Sequence, residues 1–108
     1  MTETGPSPDM TLRQLQSRLH ELYGDKDRAR GLEATYLWFA EETGELAAAI
    51  RLKEPENLAA EFADVLAWLA TLANLANVDL TNAVSRKYGM GCPGCGASPC
   101  RCSAAEKP

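Results

Sequence analysis

The sequence has no apolar run that approaches the roughly 18 to 20 residues needed to cross a bilayer. Its amino terminus also lacks the basic segment and apolar core of an export signal. Positive charge is scarce, because 11 Lys and Arg stand against 15 Asp and Glu, for a formal net charge of -4. Nucleic-acid binding normally needs a clustered basic surface, so the composition argues against it. These absences predict a cytoplasmic protein with no membrane partner.

Cysteine is absent from most of the chain, and all four cysteines lie between Cys92 and Cys102. A disulfide framework would join distant parts of the fold instead. The segment Cys92-Pro-Gly-Cys95-Gly is similar to a zinc knuckle, and Cys100-Arg-Cys102 could complete a tetrahedron of four thiolates. We therefore predict a structural zinc site in a Cys-rich tail over residues 91–103. Reduced, disordered thiols or a redox-active pair are the alternatives.

Strand-like alternation and internal repeats are also absent between Thr11 and Tyr88, where apolar residues recur at helical spacing instead. With 108 residues, the chain can build one core but not two. The sequence therefore predicts an all-α helical bundle of about four helices. The predicted elements are a flexible arm over residues 1–10, helices from Thr11 to Gly24, Leu32 to Lys53, Asn57 to Val78 and Asp79 to Tyr88, a charged loop over residues 25–31, and a disordered end over residues 104–108.

Local signals place the ends of these helices. Asp9 or Thr11 can cap the first helix, Gly24 can end it, and Pro55 marks the end of the second. Gly44 lies inside the second helix, where glycine costs about 1 kcal/mol relative to alanine. A close helix contact or a nearby ligand could justify this glycine.

The third helical segment is apolar almost all round. A helix that is apolar on every side must be buried on every side, and one small domain cannot supply that cover. We therefore predict that homo-oligomerisation completes the core, in a homodimer or a homotetramer. The apolar residues on which this prediction rests are Leu58, Phe62, Val65, Leu66, Leu69, Leu72, Ala73 and Leu75.

Acidic residues cluster on the second and third helices. Glu42 and Glu45 lie one turn apart on one helix face, and Glu61 and Asp64 do so on the next helix. Two antiparallel helices could aim these four carboxylates at one point. Because an unpaired charge is costly in an apolar helix, a cation is expected there.

Oxygen ligands without imidazole or thiolate suit Mg²⁺, and Mn²⁺ is possible. A di-iron centre is disfavoured, because such bundles use Glu-x-x-His pairs and the only histidine, His20, lies on another helix. The alternative is that the glutamates form an ordinary solvated helix face.

Glu-Glu-x-x-Glu, 15 intervening residues and Glu-x-x-Asp together resemble the MazG-like all-α nucleoside triphosphate pyrophosphohydrolases. The segments Leu37 to Ala47 and Glu61 to Ala67 and the Lys87-Tyr88 ending resemble the same family. The resemblance covers roughly Thr11 to Tyr88, and we assign residues 11–90 to a MazG-like helical domain.

This resemblance implies hydrolysis of a (deoxy)nucleoside triphosphate to a nucleoside monophosphate and pyrophosphate, as in house-cleaning of the nucleotide pool. By motif position, Mg²⁺ would be held by Glu42, Glu45, Glu61 and Asp64. Glu41 would orient or deprotonate the attacking water. Lys87 matches a lysine that approaches the phosphates, and Trp68 matches an aromatic position against the base, although core packing is an equal alternative for Trp68.

The predicted loop carries Lys26, Arg28 and Arg30, which could close over phosphate or could simply be solvated. Trp38 is expected in the core. Many relatives have an asparagine where this chain has Gly91, which leaves the preferred base open. The rival function is a non-catalytic helical oligomerisation or nucleotide-sensing module with a zinc-binding tail.

Overall fold

The structure is a computed structural model that describes residues 9–105. The predicted flexible arm over residues 1–10 and the predicted disordered end over residues 104–108 therefore lie largely outside the described residues, and both stay predictions.

The chain divides into two compact units, Met1–Val78 and Asp79–Pro108. The first unit contains helices α1 (Leu12–Arg30), α2 (Leu32–Leu52) and α3 (Pro55–Leu75), and the second contains α4 (Leu80–Tyr88). Residues 89–105 follow α4 without a helix, and residues 9–105 contain no strand. The predictions of an all-α fold and of four helices are confirmed.

The first helix is longer than its sequence predicts. Thr11 caps it in a capping box with Gln14, but the helix passes through Gly24 and continues to Arg30. The prediction of a loop over residues 25–31 was therefore wrong. Ion pairs one turn apart, Asp25 with Arg28 and Asp27 with Arg30, stabilise the added turns. The helix ends at Gly31, whose φ of +90° is readily adopted only by glycine.

A two-residue turn joins α2 to α3. Lys53 adopts the left-handed conformation with φ of +57°, and Glu54 is extended. Pro55 then occupies the first turn of α3, where its missing N–H leaves no unpaired donor. Proline thus starts the third helix two residues before its predicted beginning at Asn57. A turn this short makes α2 and α3 antiparallel neighbours, and their mutual contact is the most extensive in the fold.

Small side chains fill the interior of the first unit. Among the described residues the buried apolar side chains are those of Leu19, Ala49, Ala70 and Ala73. Many larger apolar side chains are exposed to solvent, including Leu37, which is 67 % exposed. The exposed fractions on α3 are 54 % for Phe62, 42 % for Leu66 and 41 % for Leu69. A single copy therefore leaves much of α3 uncovered.

Helix α3 is also long and apolar enough on average to cross a bilayer, and within residues 9–105 it is the only helix that is. Glu61 and Asp64 interrupt its apolar sequence, which is why the sequence shows no continuous apolar run of that length. One such helix is weak evidence for a membrane span, because a core helix of a water-soluble protein can have the same length and hydropathy.

Candidate functional site

The turn between α2 and α3 sets the register of the acidic residues. Glu45 lies eight residues before Lys53 and Glu61 eight residues after it, whereas Glu42 and Asp64 each lie eleven residues away. Residues equally distant from the turn of an antiparallel hairpin stand at the same height. Each helix therefore offers two carboxylates about one turn apart, which is about 5 Å along the axis.

Three of these carboxylates meet. One oxygen atom each from Glu42, Glu45 and Glu61 lies within 4.8 Å of the other two. Glu42 and Glu61 are half-buried, and Glu45 is exposed. The Oε2 atoms of Glu42 and Glu61 are buried and find no hydrogen-bond partner among residues 9–105. Buried acceptors without donors are unusual, so these two oxygens suit a positively charged partner.

Asp64 lies beside this cluster and is exposed. Its charge is one of the causes that raise the pKa of both Glu42 and Glu61. The structure thus brings Glu42, Glu45 and Glu61 together at the middle of the α2–α3 hairpin, with Asp64 beside them. Glu41 is exposed on α2 and does not share the three-carboxylate cluster.

The crowded negative charge favours protonation. A hydrogen bond shared with Glu45, in which Oε2 of Glu42 takes no part, contributes most to raising the pKa of Glu42 to about 7. Burial and the charges of Glu45, Asp64 and Glu61 raise it further. Burial raises the pKa of Glu61, and the charges of Glu45 and Asp64 add to this. A divalent cation would replace the shared protons and relieve the repulsion, which is the fit expected for a hard metal ion.

A cavity of about 590 Å³ opens next to Asp64 within the first unit. Lys26, Arg30 and Trp68 line it, as does Trp38. The two tryptophan rings pack edge to face with their centroids 5.4 Å apart. Trp38 keeps 49 % of its surface exposed, so its expected place in the core was wrong.

Arg30 connects the helices at this cavity. Its guanidinium pairs with buried Asp27, and its Nε donates to Thr35 Oγ1 at 2.8 Å. The guanidinium carbon also lies 4.7 Å from the Trp38 ring centroid and 5.2 Å from that of Trp68. The sequence did not indicate this network, because Arg30 was predicted to lie in a loop. The three-residue spacing of Asp27 and Arg30, with Gly31 after them, was the available signal.

Arg28 and Lys87 are the other two predicted substrate contacts. Arg28 pairs with Asp25, and both side chains are largely exposed. Lys87 is in the second unit on α4, where its ammonium lies 5.8 Å from the ring centroid of Tyr88. Asp79 caps this helix by accepting from the Asn82 amide at 3.2 Å.

The four cysteines of the second unit also converge. Their sulfur atoms all lie within 4.8 Å of one another, and all four are free thiols. Backbone amides lower the pKa of Cys92 and lower that of Cys95 to about 6. Hydrogen bonds with the neighbouring thiols raise the pKa of Cys102 to about 12.

Comparison with known proteins gives one family. The profile of the MazG nucleotide pyrophosphohydrolase domain matches residues 30–94, which span both acidic motifs and α4. No curated protein matches the chain.

Proposed function

Since the chain belongs to the MazG nucleotide pyrophosphohydrolase family, we propose that it hydrolyses (deoxy)nucleoside triphosphates between the α and β phosphates. The products would be a nucleoside monophosphate and pyrophosphate. The family generally performs nucleoside triphosphate pyrophosphohydrolysis, and the proposal extends that activity to this chain as a magnesium-dependent enzyme of nucleotide-pool house-cleaning.

The observation that carries the proposal is the pair of buried, partnerless oxygens on Glu42 and Glu61. A solvated acidic face would leave every carboxylate oxygen in water. Here two oxygens are withdrawn from water toward a third carboxylate, that of Glu45, within 4.8 Å. Such an arrangement is costly without a cation and suits a divalent one.

We assign Glu42, Glu45, Glu61 and Asp64 as ligands of Mg²⁺, with Mn²⁺ as a substitute. When bound there, the metal would neutralise triphosphate charge, polarise the phosphorus and lower the pKa of water. The four carboxylates hold their positions through the fixed register of α2 and α3. Glu41 is exposed beside them and is our candidate for accepting a proton from the attacking water.

The cavity beside Asp64 is our candidate site for the nucleoside. Trp68 lines the cavity with an aromatic ring against which a base could lie, and Lys26 supplies a cation at the cavity wall. Arg30 already contacts Asp27 and Thr35, so its first role is to hold the cavity wall. Arg28 and Lys87 are assigned to phosphate binding on family position and charge alone. The base preferred by the cavity stays open.

We further propose that the enzyme is a cytoplasmic homodimer or homotetramer. The exposed apolar residues of α2 and α3 support this, because they resemble half of a core more than a solvated surface. The net charge of -4 gives no electrostatic reason to expect a nucleic-acid partner.

The test is pyrophosphate release from a panel of canonical, deoxy and modified nucleoside triphosphates with Mg²⁺. Wild type is compared with Glu42→Ala and Asp64→Asn, and Glu56→Gln, an exposed residue in the first turn of α3, serves as the control. We expect both site variants to lose about 100-fold or more in kcat/KM and the control to keep full activity.

Circular dichroism must show native helicity in every variant. Absence of turnover by folded wild type on the whole panel would reject the enzyme and favour the non-catalytic module. Equal losses in Glu56→Gln and Glu42→Ala would reject the assigned metal site.

A further inference from the structure

The cysteine segment of the second unit has almost no interior of its own. No residue of 89–105 is buried, and Met90, its largest apolar side chain, is 93 % exposed. The segment contains neither helix nor strand within these residues. Hydrophobic burial therefore cannot account for its folded path, although its four sulfur atoms come together.

The spacing between the sulfur atoms suits a tetrahedral metal. Zinc–sulfur bonds of about 2.3 Å place the sulfurs of a tetrahedron about 3.8 Å apart. Cys92 Sγ and Cys102 Sγ are 3.8 Å apart, and all four sulfurs fall within 4.8 Å of one another. Four sulfur atoms this close together can share one metal ion.

Backbone amides turn toward the sulfurs. Gly94 N donates to Cys92 Sγ at 3.3 Å, Arg101 N to Cys95 Sγ at 3.3 Å, and Cys102 N to Cys100 Sγ at 3.2 Å. Amide donors stabilise sulfur that carries negative charge, and they fix the direction of metal ligands. Three of the four sulfurs thus have the surroundings of a bound thiolate.

Glycines allow the backbone to pass close to the sulfur atoms and to itself. A Cβ atom on Gly94 would stand 3.1 Å from Cys102 Sγ, so any larger residue would press on the cluster. Gly91 has φ of +117°, and a Cβ there would meet the carbonyl oxygen of Gly96 at 2.7 Å. The turn itself closes through Cys92, whose N–H donates to Ala97 O at 3.0 Å. The path of the backbone therefore brings the four sulfur atoms together.

We propose that Cys92, Cys95, Cys100 and Cys102 bind one Zn²⁺ as four thiolate ligands, and that this ion holds residues 91–103 in their folded path. Four soft thiolates in a tetrahedron select zinc or iron. Zinc is favoured because it binds without a redox change, and four protein ligands leave it no open position, which makes the site structural. It is chemically distinct from the oxygen cluster of the first unit and does not depend on the proposed hydrolysis.

The first measurement is the metal content of protein purified under reducing conditions without added metal. Plasma mass spectrometry should find about one zinc per chain in wild type and less than about a tenth of that in a Cys92→Ser Cys95→Ser double variant. Glu42→Gln is the matched control, because it alters the oxygen cluster and should keep its zinc.

A second measurement uses wild type alone, so it does not rely on a variant folding. Trypsin cleavage after exposed Arg101 should be slow in the zinc-loaded chain and become at least about tenfold faster when a chelator removes zinc. Helicity by circular dichroism should change little.

Three results would overturn the proposal. They are wild type with four free thiols and no zinc, stoichiometric iron in place of zinc, and a double variant that retains wild-type zinc. Unchanged cleavage after zinc removal would refute the claim that the ion holds the segment.

Discussion

Glu42 and Glu61 each keep one carboxylate oxygen inside the helical hairpin, where residues 9–105 supply no donor to it. The sequence indicated which residues share a face, because helical spacing alone places Glu42 with Glu45 and Glu61 with Asp64. It could not indicate which oxygens lose their water, or that Asp64 stays at the exposed edge. Those features depend on how closely α2 and α3 pack.

The raised pKa of Glu42 predicts a pH dependence of stability in the metal-free protein. The folded state keeps a proton up to about pH 7, whereas an ordinary glutamate loses it near 4.5. The folded state therefore binds more protons over this interval, and the contribution of Glu42 to the free energy of unfolding falls as pH rises from 4.5 to 7. Below that interval the residue contributes no penalty, and above it the penalty is constant.

Urea unfolding with a chelator, at about pH 5 and about pH 8, measures this effect. Wild type should lose stability relative to Glu42→Gln on going to the higher pH, since glutamine mimics the protonated acid. The difference in stability between wild type and the control variant Glu56→Gln should be the same at both pH values. A wild-type minus Glu42→Gln difference that is the same at both pH values would contradict the prediction.

At the scale of elements, the extension of α1 is the largest difference from the sequence prediction. Gly24 and the charged residues after it are typical of a helix end and a loop. The structure instead buries Asp27 and pairs it with Arg30, which also reaches Thr35 and both tryptophans. Contacts between helices therefore outweigh the local tendency of Gly24 and the charged residues to end the helix. Helix propensities of single residues do not include such contacts.

This network predicts unequal effects for two arginines of α1. Arg30→Met should destabilise the protein by about 3 kcal/mol, because it leaves the buried Asp27 carboxylate without its partner. Arg28→Met should cost less than about 1 kcal/mol, because its partner Asp25 is 97 % exposed. Both pairs join residues three apart on one helix, so the second variant is a matched control.

Chemical denaturation monitored by circular dichroism would compare the two variants. If Arg30→Met and Arg28→Met lost the same free energy of unfolding, the Asp27–Arg30 pair would be no stronger than a surface ion pair. It would then not explain the length of α1.

At the scale of the molecule, the apolar surface of the first unit is the main unexplained area. An open apolar groove of about 660 Å³ lies between α2 and α3 and includes Leu37, Leu69 and Leu72. The sequence predicted uncovered apolar surface from the all-round hydrophobicity of α3 and proposed oligomerisation to cover it. The order of the oligomer depends on the shape of this surface, which a hydrophobic pattern does not encode.

An acidic substitution in this groove tests self-association. Leu37→Asp should weaken the oligomer at least about tenfold, because a charge would be buried in an apolar interface. Met90→Asp, an equally drastic change at a site 93 % exposed in the second unit, should leave assembly unchanged. Sedimentation velocity over a range of concentrations measures both. A monomeric wild type at all concentrations would reject the proposed assembly.

The helical class, the number of helices and the facing of the acidic residues on α2 and α3 were accessible from the sequence, because each depends on local periodicity. The Asp27–Arg30 network and the exposed Trp38 were not, since each depends on a neighbouring helix. The Cys-rich tail could be predicted only in part. Its cysteine spacing suggested a tetrahedron, whereas the approach of Gly94 to Cys102 needed the folded path.

The two-residue turn at Lys53 and Glu54 has a consequence for how the chain can vary in length. Each added helical residue would advance α3 by about 1.5 Å and rotate it by about 100°. The turn is only two residues long and cannot absorb an insertion. One extra residue there would therefore move Glu61 and Asp64 away from Glu42 and Glu45. An insertion or deletion at this turn should therefore displace the acidic residues of α3 from those of α2, because the turn fixes the register of the site.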